Sequence, residues 1–219
     1  MSADLGTDAR LPRLRAAAAQ LELDLPEDSG ERLLAFIDLL RRWNSVYNLT
    51  AVRDPDEMLV QHLFDCLAVV APLGRELRKQ PARLLDVGSG GGLPGVVLAL
   101  LMPSLDVTCV DAVGKKAAFV RQAGVELGLH NLRAEHSRVE VLRAAQFDVV
   151  SSRAFASLAD FTRLTRQHLA DAGVWMAMKG KRPDDEIAAL PPDIDVFHVE
   201  PLIVPELDAE RCLVWLRPR

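Results

Sequence analysis

The residues best suited to chemistry form a glycine-rich stretch, Leu84-Leu85-Asp86-Val87-Gly88-Ser89-Gly90-Gly91-Gly92-Leu93-Pro94-Gly95. The stretch lies between a predicted strand, Arg83–Val87, and a predicted helix, Leu93–Met102, which is the context that a nucleotide-binding loop requires. Because glycine has no Cβ, the backbone can turn tightly there and approach a ligand closely. We therefore predict that this loop, with Asp86 at the strand end and with Gly88 and Gly90, binds a cofactor.

A second acid indicates which cofactor the loop binds. Asp111 stands at the carboxyl end of the next predicted strand, where a carboxylate can accept hydrogen bonds from both hydroxyls of a ribose. S-adenosylmethionine fits better than NAD, because it has no pyrophosphate and carries an ammonium that Asp86 could help to neutralise. The dinucleotide fingerprint also requires Gly or Ala where Leu93 stands. We predict S-adenosylmethionine, with NAD and a glycine turn without a ligand as weaker alternatives.

The elements that must hold these residues alternate between strands and helices from Arg83 onward. Such alternation predicts a doubly wound, mostly parallel sheet with helices on both faces. Seven strands are expected, around Arg83–Val87, Val107–Val110, Leu132–Ala134, Phe147–Ser151, Val174–Met178, Val196–Val204 and Leu213–Leu216.

The amino-terminal third differs in texture and is predicted to be helical. A capping-box pattern begins at Asp28, and Asp54 is a second candidate N-cap, of a helix that we expect Pro72 to end. The predicted organisation is a small helical cap over residues 1–80 on an α/β domain over residues 81–219, packed as one compact unit.

Composition excludes several classes of protein. With 219 residues, 49% hydrophobic and 26% charged, the chain is an ordinary globular sequence. The longest apolar run, Val96–Met102, is shorter than the ~20 residues that span a bilayer, and Met1–Arg15 lacks the apolar core of a secretory signal. Cys66, Cys109 and Cys212 form no CxxC pair. We expect a cytoplasmic protein without a transmembrane helix.

Charge is distributed unevenly along the chain. A net charge of −5 argues against a protein that coats nucleic acid non-specifically. Residues 113–183, however, hold twelve Lys and Arg against six Asp and Glu, a local charge of +6. This segment is either a patch that faces phosphates or the ordinary solvated face of surface helices, and the count leaves both interpretations open.

An ordered set of short motifs resembles a known family. The matching stretches are Arg42-Trp43-Asn44, Tyr47-Asn48-Leu49-Thr50, Arg53-Asp54, His62-x-x-Asp65, Asp86-Val87-Gly88-Ser89-Gly90, Gly92-Leu93-Pro94-Gly95, Ser137-Arg138-Val139-Glu140, Ser152-Arg153-Ala154, Met178-Lys179-Gly180 and Val204-Pro205-x-Leu207-Asp208-x-Glu210-Arg211. Together they resemble the bacterial 16S rRNA guanine-N7 methyltransferase family RsmG, formerly GidB. The resemblance covers roughly residues 42–211, and departures such as Cys66 in place of a usual serine are few.

The resemblance implies a Rossmann-like, class I enzyme that depends on S-adenosylmethionine and releases S-adenosylhomocysteine. Its expected substrate is N7 of one guanosine in 16S rRNA near the decoding centre, in the small ribosomal subunit, and a monomer is the default state. The cofactor contacts that the resemblance implies are Gly88, Leu93, Val139, Glu140 and Arg153.

The chemistry of guanine N7 limits what the site needs. N7 carries a lone pair and no proton, so it can attack a methyl group without a general base, and catalysis is mainly alignment. The catalytic residue is therefore left unknown, with Asp65 as a candidate for stabilising the charge that develops on the base. An ion pair within a helix, or a hydrogen bond to His62, is an equally good interpretation of Asp65.

Four residues are candidates for contacts to RNA: Arg153, Lys179, Asn48 and His62. Trp43 and Tyr47 could stack on a base, although their helical spacing favours the core. The histidines and cysteines show no zinc-ligand spacing, and no metal is expected.

Two other classes of protein remain as alternatives. A methyltransferase of small molecules would need an apolar substrate pocket, and the basic segment together with Arg153 and Lys179 weighs against it. A non-catalytic module that binds adenosyl groups or RNA would be distinguished by cofactor binding, because failure to bind would leave the glycine loop unexplained.

Overall fold

The computed structural model describes residues 8–153 and 156–219, and Ala154 of the Ser152-Arg153-Ala154 motif lies outside them. The strands are β1 (Ala82–Val87), β2 (Leu105–Asp111), β3 (Leu132–His136), β4 (Phe147–Arg153), β5 (Leu169–Lys179), β6 (Ile194–Pro201) and β7 (Cys212–Pro218). They form one sheet in the order β3-β2-β1-β4-β5-β7-β6. Strands β1 to β5 pair in parallel, whereas β7 runs antiparallel to β5 and β6. The predicted seven-stranded, mostly parallel sheet is confirmed.

Helices precede the sheet and connect its strands. They are α1 (Arg10–Gln20), α2 (Ser29–Tyr47), α3 (Pro55–Met58), α4 (Asp65–Leu67), α5 (Val70–Glu76), α6 (Gly95–Leu101), α7 (Gly114–Glu126), α8 (Leu158–Thr165) and α9 (Asp184–Ala188). A π-helical segment, Leu59–Phe64, joins α3 to α4. The expected cap over residues 1–80 is helical in its described part, and residues 1–7 lie outside that part.

The predicted helix boundaries in the cap, at Asp54, Asp28 and Pro72, differ in how well they match the structure. Asp54 caps α3, because its Oδ1 accepts hydrogen bonds from the backbone N–H groups of Asp56 at 2.9 Å and Glu57 at 3.0 Å. The side chain of Asp28 makes no such bond at the start of α2. The prediction that Pro72 ends a helix is wrong. The chain leaves the helix before Val70, and Pro72 lies in the first turn of α5, where a missing N–H costs no hydrogen bond.

Two apolar cores cover the two faces of the sheet. Alternation along β1 sends Leu84 into one core and Leu85 into the other. The first core also contains buried residues of α1, α2, α6 and α7, so the cap and the sheet share it. Cys66 and Cys109 lie in the first core and Cys212 in the second, and all three are free.

One stretch corrects the expectation about membrane helices. Pro55–Glu76 is 22 residues long with a mean hydropathy of 1.3, enough to cross a membrane by length and composition. This stretch contains no long unbroken apolar run, because charged residues such as Asp65 interrupt it. However, 67% of the apolar window is buried within the protein, and a buried core helix passes the same test. Its composition is therefore weak support for a membrane span.

Candidate functional site

The glycine loop is fastened from below by Asp86, at the end of β1. Asp86 is 0% exposed, and its Oδ2 accepts a hydrogen bond of 3.0 Å from the backbone N–H of Gly95, the first residue of α6. Ser151 Oγ on β4 donates to Oδ1 at 3.3 Å. A Cβ on Gly95 would clash with the thiol of Cys109 and lie 2.9 Å from Asp86 Oδ2. Glycine is therefore needed where α6 approaches the strands.

This arrangement places Asp86 away from the ligand side of the loop. Its carboxylate lines neither of the two cavities at the sheet edge, so its position gives no support to the predicted contact with the cofactor's ammonium group. Burial raises the pKa of Asp86 to about 7, against the hydrogen bonds from Gly95 and Ser151, which lower it. Its structural role is to hold the loop.

The smaller cavity, of about 240 Å³, lies at the carboxyl ends of β1 and β2. Its lining residues are Val87, Gly88, Val110, Asp111, Ala112, Ser137, Arg138, Val139 and Glu140. Asp111 Oδ2 accepts from the N–H of Gly90 at 3.0 Å, and its Oδ1 accepts from the N–H of Val113 at 2.8 Å. Lys116 Nζ lies 3.9 Å from Oδ2. Asp111 thus combines a fixed orientation with a place in the cavity wall.

The far wall of this cavity is a single 3₁₀ turn, Val139–Val141. His168 Nε2 lies 2.7 Å from the carbonyl oxygen of Val139. Because a carbonyl oxygen only accepts, this nitrogen carries a hydrogen and donates a hydrogen bond to it. Gln167 donates to the carbonyl oxygen of Glu140 at 3.0 Å. These two bonds hold Val139 and Glu140, two residues that the family resemblance implies as cofactor contacts, against the cavity.

The larger cavity, of about 640 Å³, adjoins the smaller one at Gly88, which lines both. Gly88 and Gly90 have φ angles of 65° and 55°, in the left-handed region that favours glycine. The other lining residues are Leu49, Thr50, Gln61, His62, Asp65, Ser89, Gly90, Gly91, Leu93, Lys116, Arg153, Met178, Lys179, Gly180 and Arg211. Seven residues predicted from the sequence therefore meet here: His62, Asp65, Gly88, Gly90, Leu93, Arg153 and Lys179.

Asp65 lies between two arginines at the floor of the larger cavity. Arg153 NH1 contacts its Oδ2 at 3.2 Å and Arg211 Nε donates to its Oδ1 at 2.9 Å. Arg153 NH1 also donates to the carbonyl oxygen of Gln61 at 3.2 Å. Because both carboxylate oxygens are used and the group carries one more positive than negative charge, Asp65 is poorly placed to stabilise a cationic base. The structure supports a role for Asp65 in positioning the two arginines. The predicted hydrogen bond between Asp65 and His62 does not form, and His62 bonds to Thr50 instead.

His62 is held in place by the loop that follows α2. Its Nε2 lies 2.8 Å from Thr50 Oγ1, and His62 is 5% exposed. Burial, helped by the charge of Arg153, lowers the pKa of His62 to about 4. His62 is therefore neutral at physiological pH. Asn44 braces the same loop, accepting from the N–H of Thr50 at 2.9 Å and donating to the carbonyl oxygen of Val52 at 3.1 Å.

The two other candidates for RNA contacts are engaged elsewhere. Lys179 lines the larger cavity, but its Nζ lies 2.8 Å from Glu186 Oε2, so its charge is already balanced. Asn48 lies outside both cavities. It ends α2 in a left-handed conformation with φ of 50°, and its Oδ1 accepts from Arg53 at 3.0 Å.

The cavity residues to which the sequence analysis gave no role include three with polar side chains that matter for the site: Thr50, Lys116 and Arg211. Thr50 and Arg211 stood within motifs quoted for the family resemblance, without a role. Lys116 could have been predicted from its position in the first turn of the helix that follows Asp111. Among the described residues, no group of three or more His, Cys, Asp and Glu could hold a metal ion.

The adjoining cavities suit an elongated ligand with an adenosyl end and an amino-acid end. The smaller one offers the Asp111 carboxylate for ribose hydroxyls between apolar walls at Val110 and Val139. The larger one offers the backbone of the glycine loop and the Arg153 guanidinium for a carboxylate. The residues present therefore fit S-adenosylmethionine.

Comparison with known proteins agrees with this geometry. The family described as rRNA small subunit methyltransferase G, GidB, matches residues 29–214. The chain is 62% identical over 213 residues to the ribosomal RNA small subunit methyltransferase G of Acidovorax ebreus (strain TPSY), covering 94% of both chains. It is 59% identical to the protein of that name from Paracidovorax citrulli (strain AAC00-1), covering 98% of this chain and 93% of the other.

Solved structures support the fold. TrmN from Thermus thermophilus superposes with a TM-score of 0.55 at 22% identity, covering 70% of this chain and about half of that chain, 48%. Ribosomal protein L11 methylase from Lactobacillus delbrueckii subsp. bulgaricus gives a TM-score of 0.52 at 13% identity, covering 68% and 77%. The predicted Rossmann-like methyltransferase fold is confirmed.

Proposed function

This chain belongs to the rRNA small subunit methyltransferase G family, and on that premise we propose that it transfers a methyl group from S-adenosylmethionine to N7 of a guanosine in 16S rRNA near the decoding centre. The observation that carries the proposal is the pair of cavities that adjoin at Gly88. They lie at the carboxyl edge of the parallel strands, where ligands of open α/β sheets bind.

The cofactor, when bound, supplies an electrophilic methyl group on a sulfonium. In this proposal Asp111 holds the ribose, and the turn at Val139 and Glu140 encloses the adenine. Gly88, Gly90 and Leu93 present the loop to the amino-acid end, and Arg153 pairs with its carboxylate. Each of these residues lines one of the two cavities, which supports the assignment.

The chain need not supply a base for this reaction. Guanine N7 has a lone pair and no proton, so the residues of the larger cavity have to orient the base and exclude water. His62 is neutral and fixed by Thr50, which suits an orienting hydrogen-bond partner. Asp65 acts through the two arginines that it holds, as a positioning residue.

The charges around the cavities support an RNA substrate. Arg138 lines the smaller cavity. Lys115 precedes Lys116 and Lys181 follows Gly180, and both of these neighbours line the larger cavity. In residues 8–153 and 156–219, no carboxylate forms an ion pair with Arg138, Lys115 or Lys181. Cations without a carboxylate partner beside the cavities are available to contact RNA phosphates.

We further propose that the substrate is presented in the small ribosomal subunit, that the protein acts as a monomer, and that it acts in the cytoplasm.

A methyl-transfer assay tests the proposed reaction and the form of its RNA substrate. Purified protein would be incubated with labelled S-adenosylmethionine and naked 16S rRNA, assembly intermediates or small subunits that lack the modification. Label recovered as 7-methylguanosine in 16S rRNA supports the function, and the form labelled fastest identifies the substrate. Cofactor binding without label in any RNA would contradict it and favour a small-molecule enzyme.

A further inference from the structure

Tyr47, the single tyrosine of the chain, is the exposed end of an aromatic series that begins in the core. Phe36 and Phe119 are 0% exposed with ring centroids 6.2 Å apart. Trp43 packs on Phe119 at 5.6 Å, and Tyr47 packs on Trp43 at 5.2 Å. Tyr47 is 41% exposed. The expectation that Trp43 and Tyr47 both belong to the core is therefore wrong for Tyr47.

Tyr47 lies close in sequence to the larger cavity. It is the last residue of α2, one turn beyond Trp43, and Asn48 follows it in a left-handed conformation. Thr50, three residues after Tyr47, lines the larger cavity. The exposed ring is therefore carried by the segment that leads into the cavity wall.

A cation accompanies the exposed ring. Arg53 is exposed and donates to Asn48 Oδ1 at 3.0 Å, next to Tyr47 in sequence. Within the described part of the chain, no carboxylate lies within ion-pair distance of Arg53. An exposed ring on a rigid aromatic support, with an unpaired cation beside the same loop, suits single-stranded nucleic acid, which binds by stacking a base and pairing phosphates.

We propose that Tyr47 is a stacking platform for a nucleobase of the substrate RNA, a neighbour of the target guanosine. The platform cannot serve the target itself, because Tyr47 does not line the larger cavity, where the methyl group would be presented. Arg53 holds a phosphate next to the stacked base. This inference rests on the proposed function and adds to it a contact that fixes the path of the RNA into the site.

The test compares Tyr47→Ala, Tyr47→Leu and Tyr47→Phe with a matched control, Val46→Ala, whose side chain is 68% exposed beside Tyr47. The dissociation constants for small subunits that lack the modification and for naked 16S rRNA are measured with S-adenosylhomocysteine present, together with that for S-adenosylhomocysteine alone. Loss of one stacked base predicts RNA binding weaker by about 5- to 100-fold in Tyr47→Ala and Tyr47→Leu. Tyr47→Phe and Val46→Ala stay within about twofold of wild type, and binding of S-adenosylhomocysteine is unchanged.

Two results would overturn the inference: wild-type affinity for subunits and for naked RNA in Tyr47→Ala and Tyr47→Leu, or an equal loss in Tyr47→Phe. The second would assign the contact of Tyr47 to its hydroxyl group and not to its ring. Because the readout is binding, it is independent of catalysis. A protein that binds RNA through Tyr47 and methylates no guanosine would contradict the proposed function alone.

Discussion

The Oδ2 atom of Asp86 accepts a hydrogen bond of 3.0 Å from the backbone N–H of Gly95, and this contact joins the end of β1 to the start of α6. The loop between them presents Gly88 and Gly90 to the cavities. Since both Asp86 and Gly95 are buried, the contact sets the shape of the loop without touching a ligand. The stability of the fold and the geometry of the site are therefore coupled at this point.

A methyl group at Gly95 should disrupt this junction. The Cβ of Gly95→Ala would clash with Cys109 and lie 2.9 Å from Asp86 Oδ2, so we expect a loss of about 1–3 kcal/mol in the free energy of unfolding. The matched control is Gly74→Ala in α5, where nothing lies within 4 Å of the new Cβ. Urea unfolding should show the control equal to or more stable than wild type by about 0.5–1 kcal/mol. Equal stabilities of Gly95→Ala and wild type would contradict the packing described here.

Two buried groups should give opposite dependences of stability on pH. The pKa of His62 falls from 6.5 to about 4 on folding, so its contribution is lost as pH falls from 6.5 to 4. The pKa of Asp86 rises from 3.8 to about 7, so the folded state keeps a proton that the unfolded state has released, and stability is lost as pH rises from about 4 to 7. In the wild type these contributions oppose each other between pH 4 and 6.5.

Single variants separate the two contributions. Relative to wild type, His62→Gln should lose stability as pH rises from about 4 to 6.5, and Asp86→Asn should gain it, each by up to about 3 kcal/mol. Urea unfolding at half-unit steps of pH measures the differences, in which the other titrating groups cancel. Parallel curves for the wild type and both variants would show that neither pKa is shifted by burial.

Asp111 should be required for cofactor affinity. Asp111→Asn keeps an acceptor for one backbone N–H but removes the charge and one acceptor for a ribose hydroxyl, so we expect binding of S-adenosylhomocysteine to weaken about tenfold or more. Asp106→Asn, at the other end of β2 and paired with Arg133, is the control and should bind normally. Titration calorimetry measures both, and equal affinities would move the ribose away from Asp111.

Asp65 should matter for stability because of its two arginines. Asp65→Asn leaves Arg153 and Arg211, each about a quarter exposed, without a counter-charge, and should cost about 2–3 kcal/mol of unfolding free energy. Adding Arg211→Met should lower the free energy of unfolding less in the Asp65→Asn variant than in the wild type. Asp193→Asn, in a half-exposed pair with Arg166, should leave stability unchanged. Additive effects of Asp65→Asn and Arg211→Met would show that the two residues are not coupled.

The order of elements and the cofactor edge could be predicted from the sequence because they depend on local patterns. Apolar runs located every strand, and the acids at strand ends placed Asp86 and Asp111 at one edge of the sheet. What these patterns could not give is which side of the loop each acid faces. Asp86 is turned inward because α6 begins directly above it, and this depends on the packing of Gly95 against β2.

Partners that are distant in sequence were beyond prediction for a similar reason. Asp65 and Arg211 are separated by 146 residues and meet only because β7, which Arg211 directly precedes, inserts between β5 and β6. Lys179 looked like a free cation at a strand end, but the helix that follows supplies Glu186 as its partner. The helical spacing of Trp43 and Tyr47 favoured burial, whereas the place of Tyr47 in the last turn of α2 exposes it.

The most direct test of the account is the identity of the nucleoside that receives the methyl group. Small subunits that lack the modification would be incubated with the protein and labelled S-adenosylmethionine, with Asp111→Asn as a control for cofactor dependence, and the rRNA would be digested to nucleosides. The account predicts label in 7-methylguanosine from 16S rRNA, strongly reduced in the variant. Label in any other methylated nucleoside, or none from protein that binds the cofactor, would contradict it.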